Sequence, residues 1–343
     1  MFTSDKGKLS LMQVVELVPR TRRSARTPAH EPSVALYGAA LWSALWLMTV
    51  AVDGLAVTSV DLLLVFAALV IVPLAFTLPL RDGGTPPQTL LAAQPAAALA
   101  LSASIFLPEG PVATLLAAPW AVVGGIAALG ALGHIRTRTG LHAAAYVHAA
   151  ALVYLFLGSI TLLAARAGLR PLGLPAATVG AAAVHYHFLG FGAGILAAGL
   201  LAAVGADGPA WVRSVARAAA GCLVTAVALA AFGIATSSQF EPAGNALLAV
   251  SISALGILGL VLVVPTVHDP ATRLLMTISG LTALVATSAL LDHAFGRGAQ
   301  PSDALSAAAG IYGLGTAFGF VFCGLWGWRR LLEPAREGSL PGP

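Results

Sequence analysis

Charged residues are scarce in this sequence. Only 9% of its 343 residues are Asp, Glu, Lys or Arg, whereas 58% are hydrophobic. A soluble domain carries about 25% charged residues, so a chain this poor in charge cannot cover a water-facing surface. Long apolar stretches recur from residue 34 to residue 328, and stretches of about 20 apolar residues cross a bilayer as helices. The composition therefore predicts an all-α, polytopic transmembrane helical bundle.

Paired cysteines and familiar catalytic motifs are missing as well. The two cysteines, Cys222 and Cys323, each lie in an apolar segment without metal-ligand spacing, which favours small buried side chains. There is no Walker motif, GxSxG, HExxH or glycine-rich dinucleotide turn, which argues against an ATP-driven pump and against familiar soluble hydrolase chemistry. The net charge of +4 does not indicate a nucleic-acid partner, because the basic residues are scattered at predicted membrane edges.

The apolar stretches predict about ten spanning helices. Their expected bounds are residues 34–52, 62–80, 89–107, 111–133, 143–165, 174–204, 214–235, 244–267, 272–291 and 305–328. If the N-terminus lies in the cytoplasm and each helix crosses once, the cytoplasmic segments contain 15 Lys and Arg and the outer loops contain three. Cytoplasmic loops are enriched in basic residues, so this asymmetry predicts that both termini are cytoplasmic.

These bounds divide the chain into three parts. Residues 1–33 form a basic cytoplasmic tail, either disordered or with a short amphipathic helix; residues 34–328 form the bundle, and residues 329–343 form a second cytoplasmic tail. Arginine outnumbers lysine, and alanine and glycine are abundant, as is typical of bacteria with GC-rich genomes. We therefore predict the bacterial cytoplasmic (inner) membrane, with the lipid bilayer as partner. The sequence leaves the oligomeric state open.

One stretch of the sixth predicted helix carries ionisable rings in apolar surroundings: VHYHFLGFGAG, residues 184–194. Counted from residue 174 at 1.5 Å per residue, His185 and His187 lie about 16 and 20 Å into the membrane. Ionisable groups at such depth are costly and often functional. Residues two apart on a helix lie about 200° apart, so the two rings should face different neighbours unless the helix unwinds near Gly190.

A polar pocket in the cytoplasmic half is predicted from matching depths. His148 lies about 9 Å, and Gln94 about 8 Å, from the cytoplasmic edge, which is close to the depth of His187. The expected substrate-binding residues are His185, Tyr186, His187, His148, Gln94 and Gly190. The candidates for catalysis are His185, His187 and His148.

Several functions fit such a pocket. Our leading hypothesis is that it binds and transports a small lipophilic molecule. The alternative is an intramembrane enzyme, a cyclase or isomerase that uses the histidines as acid and base. We expect no metal, because carboxylate and cysteine ligands are missing at this depth, and no cofactor, although a haem between His148 and His187 is a further alternative. The histidines could also simply join neighbouring helices by hydrogen bonds.

The histidine stretch resembles the YndJ-like family of bacterial membrane proteins. The resemblance rests on an apolar helix that carries His-aromatic-His-aromatic and then a small residue before Gly-Phe. The matching positions are His185, Tyr186, His187, Phe188, Gly190 and Phe191. This resemblance implies a multi-pass membrane protein of a family often labelled as transporters. It does not choose between transport and chemistry.

Overall fold

The structure is a computed structural model. It describes residues 32–52, 55, 57–78, 86–137, 140, 142–205, 208–236, 240–295 and 313–332. The first 31 residues and the last 11, where most of the two predicted tails falls, lie outside the described residues. All regular elements in the described ranges are helices, which confirms the predicted fold class.

Ten helices follow one another along the described chain, and each matches one predicted segment. They are α1 (Pro32–Ala51), α2 (Ser59–Phe76), α3 (Gln88–Ser104), α4 (Pro111–Thr137), α5 (Ala143–Arg166), α6 (Ala176–Val204), α7 (Ala210–Thr236), α8 (Phe240–Thr266), α9 (Pro270–Phe295) and α10 (residues 313–332). Eight of them are long and apolar enough to span a membrane; α3 has 17 residues, and α10 is described only in part. The chain is therefore a multi-pass membrane protein. The described part of α10 continues to Leu332, four residues beyond the predicted end, and includes Arg329 and Arg330.

Local sequence explains where several helices begin. Thr58 and Asp61 form a capping box at the start of α2, in which each side chain bonds the other residue's backbone N–H. At α9, Asp269 accepts hydrogen bonds from the backbone N–H and the hydroxyl of Thr272. α4 and α9 have proline as their first residue, where its missing N–H costs no helical bond.

Four helices contain a wider, π-helical stretch. These stretches are Ala67–Ile71 in α2, Tyr186–Gly192 in α6, Gly259–Val263 in α8 and Gly315–Phe322 in α10. A π-helical turn breaks the regular i to i−4 bonding and changes the direction in which the following side chains point, and such turns are frequent at functional sites. From the sequence, unwinding was considered only near Gly190, as an exception to regular helical geometry.

α2 and α6 form the centre of the bundle. In their apolar spans 72% and 83% of residues are buried, against 11% in α1. Phe66 on α2 lies 6.5 Å from Phe188 on α6 and 4.5 Å from Phe318 on α10, centroid to centroid. Three of the π-helical stretches therefore begin at, or contain, one shared aromatic cluster.

Side-chain bonds tie the helices at both ends of the bundle. At the predicted outer end, Arg166 donates to the carbonyls of Ser104 and Leu107, and Arg170 pairs with Glu109 at 2.8 Å. At the opposite end, Arg330 of α10 pairs with Asp269 at 3.2 Å, and Arg329 lies 3.2 Å from the hydroxyl of Thr77, which directly follows α2. The grouping of these residues at two opposite ends agrees with helices that each cross once.

Small residues let α5 and α6 approach closely. A Cβ atom built on Gly190 would lie 2.6 Å from the Cβ of Tyr154, and one built on Gly194 would lie 2.8 Å from the Cβ of Ala151. The GxxxG spacing of α6 therefore serves packing within the bundle. In the second such pair, Gly319 packs closely on Thr282, whereas Gly315 has open space beside it.

Candidate functional site

The two histidines of α6 face different neighbours, as helical geometry predicts. His187 contacts Trp120 on α4, and His185 lies against the backbone of Val227 on α7. Both rings adjoin the π-helical stretch Tyr186–Gly192, which starts directly after His185. The rings of His185 and His187 thus lie on different sides of α6.

His187 is buried and bonded at both ring nitrogens. Its Nδ1 lies 2.8 Å from the carbonyl oxygen of Ala183, and its Nε2 lies 3.1 Å from Nε1 of Trp120. A carbonyl only accepts and an indole N–H only donates. Nδ1 must therefore carry the proton and Nε2 must accept. His187 is thus a neutral imidazole, and neither of its ring nitrogens is available to hydrogen-bond a solute.

A glycine on α5 makes room for this ring. A Cβ atom built on Gly158 would lie 2.6 Å from Nδ1 of His187, closer than non-bonded atoms approach. The indole of Trp120 on α4 lies beside the imidazole, with the ring centroids 6.2 Å and the two ring planes 17° apart. His187 is therefore held by α4, α5 and its own helix, and it fixes the position of the π-helical stretch.

His185 has a buried ring nitrogen without a partner. Its ring lies against the backbone of Val227 on α7, and its Nε2 is buried and has no hydrogen-bond partner among the described residues. A buried polar atom without a partner costs free energy, more so in a membrane, where water is excluded. His185 is thus the position in the motif at which a further group is needed.

Two stacked tyrosines stand next to His185. The rings of Tyr154 and Tyr186 lie 5.9 Å apart at 15°, and Tyr186 meets the His185 ring edge to face at 6.0 Å. The hydroxyl of Tyr154 donates to the carbonyl of Val224 on α7, so its single proton cannot also serve His185. We define the His185 cluster as His185, Tyr186 and Tyr154, which lie where α5, α6 and α7 meet.

The predicted depth match of His148 and His187 is wrong. Gly158 faces His187, Tyr154 faces Gly190 and Ala151 faces Gly194. This register places His148 ten residues along α5 from the level of His187, which is about 15 Å. His148 is buried and makes interactions of its own. The register does not bring the imidazoles of His148 and His187 to the two faces of one haem iron.

Gln94 also lies apart from the His185 cluster. It is buried on α3, and its Nε2 donates to the carbonyl of Ala68 across 2.7 Å. Ala68 belongs to the π-helical stretch of α2, where carbonyls lose their regular helical partners. Gln94 therefore joins α3 to α2. The six predicted pocket residues therefore do not form one pocket. His185 and Tyr186 lie with Gly190 at the His185 cluster, His187 pairs with Trp120, and His148 and Gln94 each lie apart.

Trp120 is the residue that sequence reasoning missed. Trp120 was not among the predicted site residues, but it is fully buried and bonds His187. A usable signal was present, because Trp120 lies nine residues inside α4 and follows Pro119. A buried indole N–H requires an acceptor, and a histidine on a neighbouring helix can supply one.

A small cavity lies on another side of α6, between α8, α9 and α10. Its volume is about 40 Å³, and it is lined by apolar groups such as Leu196, Met276 and Phe320. Ser279 on α9 donates to the carbonyl of Phe320 across 2.7 Å, which satisfies a backbone group of the α10 π-helical stretch. Metal binding is not indicated here or elsewhere in the described ranges, where no three His, Cys, Asp or Glu side chains come together.

The helices, their apolar spans and the buried polar rings define a polytopic α-helical membrane protein. The family described as YndJ-like protein matches residues 62–320, which is most of the chain. The chain belongs to this family, so the resemblance inferred from the histidine motif is confirmed. No curated protein and no solved structure matches the chain.

Proposed function

We propose that this YndJ-like protein binds a small lipophilic solute at the His185 cluster and moves it across the bilayer. The observation that carries the proposal is the buried, unpartnered Nε2 of His185. His185 lies nine residues inside α6, about 14 Å from its start, which is close to the bilayer midplane. Transporters commonly bind their substrates near this depth, where irregular helices adjoin the site.

The construction of the bundle supports movement. The π-helical stretches of α2, α6 and α10 are joined through Phe66, Phe188 and Phe318. Interconversion between π- and α-helical turns would rotate one half of a helix against the other. At the two ends, the pairs Arg170–Glu109 and Arg330–Asp269 are partly exposed, and exposed ion pairs are weak enough to open and close.

An intramembrane enzyme remains the second candidate, and the same Nε2 favours it. A buried imidazole nitrogen without a partner is also what a general acid or base requires. The two functions differ in what happens to the solute. A transporter changes its distribution, whereas a cyclase or isomerase changes its structure.

The experiment that tests the proposal is an untargeted comparison of metabolites inside and outside cells. Cells without the gene are compared with cells that express the wild type or His185→Ala. We expect the wild type to alter the inside-to-outside ratio of an unchanged lipophilic compound and His185→Ala to abolish that difference. A new product formed by purified protein in detergent micelles, where no gradient exists, would favour the enzyme. Equal profiles for wild type and variant would contradict both.

A further inference from the structure

The cavity where α6, α8, α9 and α10 meet is suited to a hydrocarbon group. Its volume is about 40 Å³, and the described residues that line it include no ionisable side chain. Ser279 lies in its wall, but the hydroxyl of Ser279 already donates to the carbonyl of Phe320. A bound water molecule needs two to four polar partners, which this lining does not offer, whereas an apolar group needs none.

The cavity opens beside Gly259 on α8. Gly259 is half-exposed, and a Cβ atom built on it would meet nothing within 4 Å, whereas the other lining residues are buried. The two other glycines of the lining serve close packing of α8 on α9. A Cβ atom on Gly256 would lie 2.9 Å from the Cβ of Ala283, and one on Gly280 would lie 2.4 Å from the Cγ of Leu260. Gly259 is therefore the entrance.

This entrance faces lipid hydrocarbon. Gly259 lies seven residues before Thr266, which ends α8, and thus about 10 Å from the predicted cytoplasmic end of the helix. That depth is within a hydrocarbon core of about 30 Å. Residues 257–264 are all apolar, and the apolar span of α8 has a mean hydropathy of 2.8, the highest of the eight candidate spans.

The size of the cavity limits what can enter. An apolar cavity that holds the six carbons of benzene measures about 150 Å³, so 40 Å³ has room for about two carbon atoms. A whole ring is too large. The middle of a straight chain would have to enter and leave through the same entrance, whereas the end of a chain enters once.

We propose that this cavity binds the end of a straight hydrocarbon chain of a bilayer lipid, which enters beside Gly259 from the predicted cytoplasmic leaflet. The bound chain end would contact two π-helical stretches, because Gly259 begins that of α8 and Phe320 belongs to that of α10. Filling the cavity restores the dispersion contacts that its wall lacks when it is empty. This lipid site is separate from the His185 cluster and does not rest on the function proposed there.

The test measures contact between lipid chains and Met276, whose side chain lines the cavity and is buried. Full-length protein is deuterated except for ¹³C-labelled methionine methyl groups and is placed in nanodiscs of dimyristoyl phosphatidylcholine. The methyl resonance of Met276 is assigned by its loss in Met276→Leu. We expect nuclear Overhauser transfer from lipid chain protons to Met276, which requires near-contact. Met48, which is 37% exposed on α1, should receive the same transfer from the surrounding lipid and is the internal control.

Two changes should abolish the transfer to Met276 and leave that to Met48 intact. The first is a phosphatidylcholine whose chains end in a cyclohexyl ring, which is too large for the cavity. The second is Gly259→Leu, which fills the entrance; Gly221→Leu is its matched control, because Gly221 is exposed on α7 and a Cβ atom there meets nothing within 4 Å.

Three results would overturn the proposal. The first is the absence of transfer from straight chains to Met276 in the wild type, and the second is transfer from water protons instead, which would indicate a hydrated cavity. The third is equal transfer from straight and ring-ended chains. These comparisons use the wild type, so they decide the matter even if Gly259→Leu does not fold. Unchanged transfer in a folded Gly259→Leu would overturn the proposed entrance.

Discussion

The indole of Trp120 on α4 donates a hydrogen bond to Nε2 of His187 on α6, with 3.1 Å between the nitrogens and the ring planes 17° apart. This bond joins two helices across 67 residues of sequence in the middle of an apolar bundle. It also decides the tautomer of His187, because it leaves Nδ1 as the nitrogen that donates to Ala183.

Replacing Trp120 by phenylalanine should destabilise the bundle. The substitution keeps an aromatic ring but leaves Nε2 of His187 buried without a donor, which costs about 1–3 kcal/mol. Thermal unfolding in a mild detergent, followed by circular dichroism, measures the loss. Trp211→Phe is the matched control, because Trp211 is 66% exposed on α7. Equal unfolding temperatures for the two variants would contradict a role of the Trp120–His187 bond in stability.

Gly158→Ala should be harmful because the new methyl group would lie 2.6 Å from Nδ1 of His187. The ring cannot retreat without breaking its bonds to Trp120 and Ala183. We expect a loss of about 1–3 kcal/mol in the free energy of unfolding, as for an overpacked core. Gly130→Ala on α4 meets nothing within 4 Å and should be neutral or slightly stabilising. If both variants unfold alike, α5 does not hold His187 as described.

Features that depend on a single helix could be predicted from this sequence, whereas the register between helices could not. The ten helices could be predicted because each one is marked in the sequence by its own run of apolar residues. The different directions of His185 and His187 also followed from the geometry of a single helix. The level of His148 did not, because it depends on how α5 slides against α6. That register is set by the close contacts of Gly158, Gly190 and Ala151.

The π-helical stretches were beyond prediction for a related reason. Most of their residues are ordinary Ala, Val, Leu, Gly and Phe, so composition gives no signal for the wider turn. What stabilises them comes from other helices. Gln94 bonds the carbonyl of Ala68 in α2, and Ser279 bonds the carbonyl of Phe320 in α10. Gln94 was identified as a polar residue at depth, but its partner is backbone and lies 26 residues away in sequence.

Ser279→Ala should weaken the tie between α9 and α10. The carbonyl of Phe320 would lose the hydroxyl that lies 2.7 Å away, at a cost of about 1 kcal/mol for a net hydrogen bond. Ser288→Ala on the same helix is a suitable control, because that serine is exposed and bonds only within α9. Unfolding temperatures of the two variants in detergent would show the difference. A larger loss for Ser288→Ala would refute this role.

Acidification should release the tie at the predicted cytoplasmic end. Hydrogen bonds from the Thr272 hydroxyl and backbone, with a smaller contribution from Arg330, hold the pKa of Asp269 below its usual range. A lowered pKa means that the ionised form stabilises the fold above the ordinary carboxyl pKa, and that this stabilisation disappears as the pH falls through the lowered pKa. Wild type should therefore unfold at a higher temperature than Asp269→Ala at pH 7, and the two should converge in strong acid. A constant difference across the whole range would contradict this account.

His185 and His187 should respond in opposite ways to the same substitution. His187→Phe leaves the N–H of Trp120 without an acceptor and removes the bond to Ala183, so it should destabilise the protein by at least 1 kcal/mol. His185→Phe removes a buried nitrogen that the described protein leaves unpartnered, so its stability should equal or exceed that of the wild type. Its solute gradient should nevertheless be lost. Substituting a residue that serves function at a cost in stability removes the function without lowering the stability, whereas substituting a residue that only packs lowers the stability. Unfolding temperatures and the metabolite comparison on the same two variants separate the cases. A stable and fully active His185→Phe would show that the unpartnered nitrogen serves no solute.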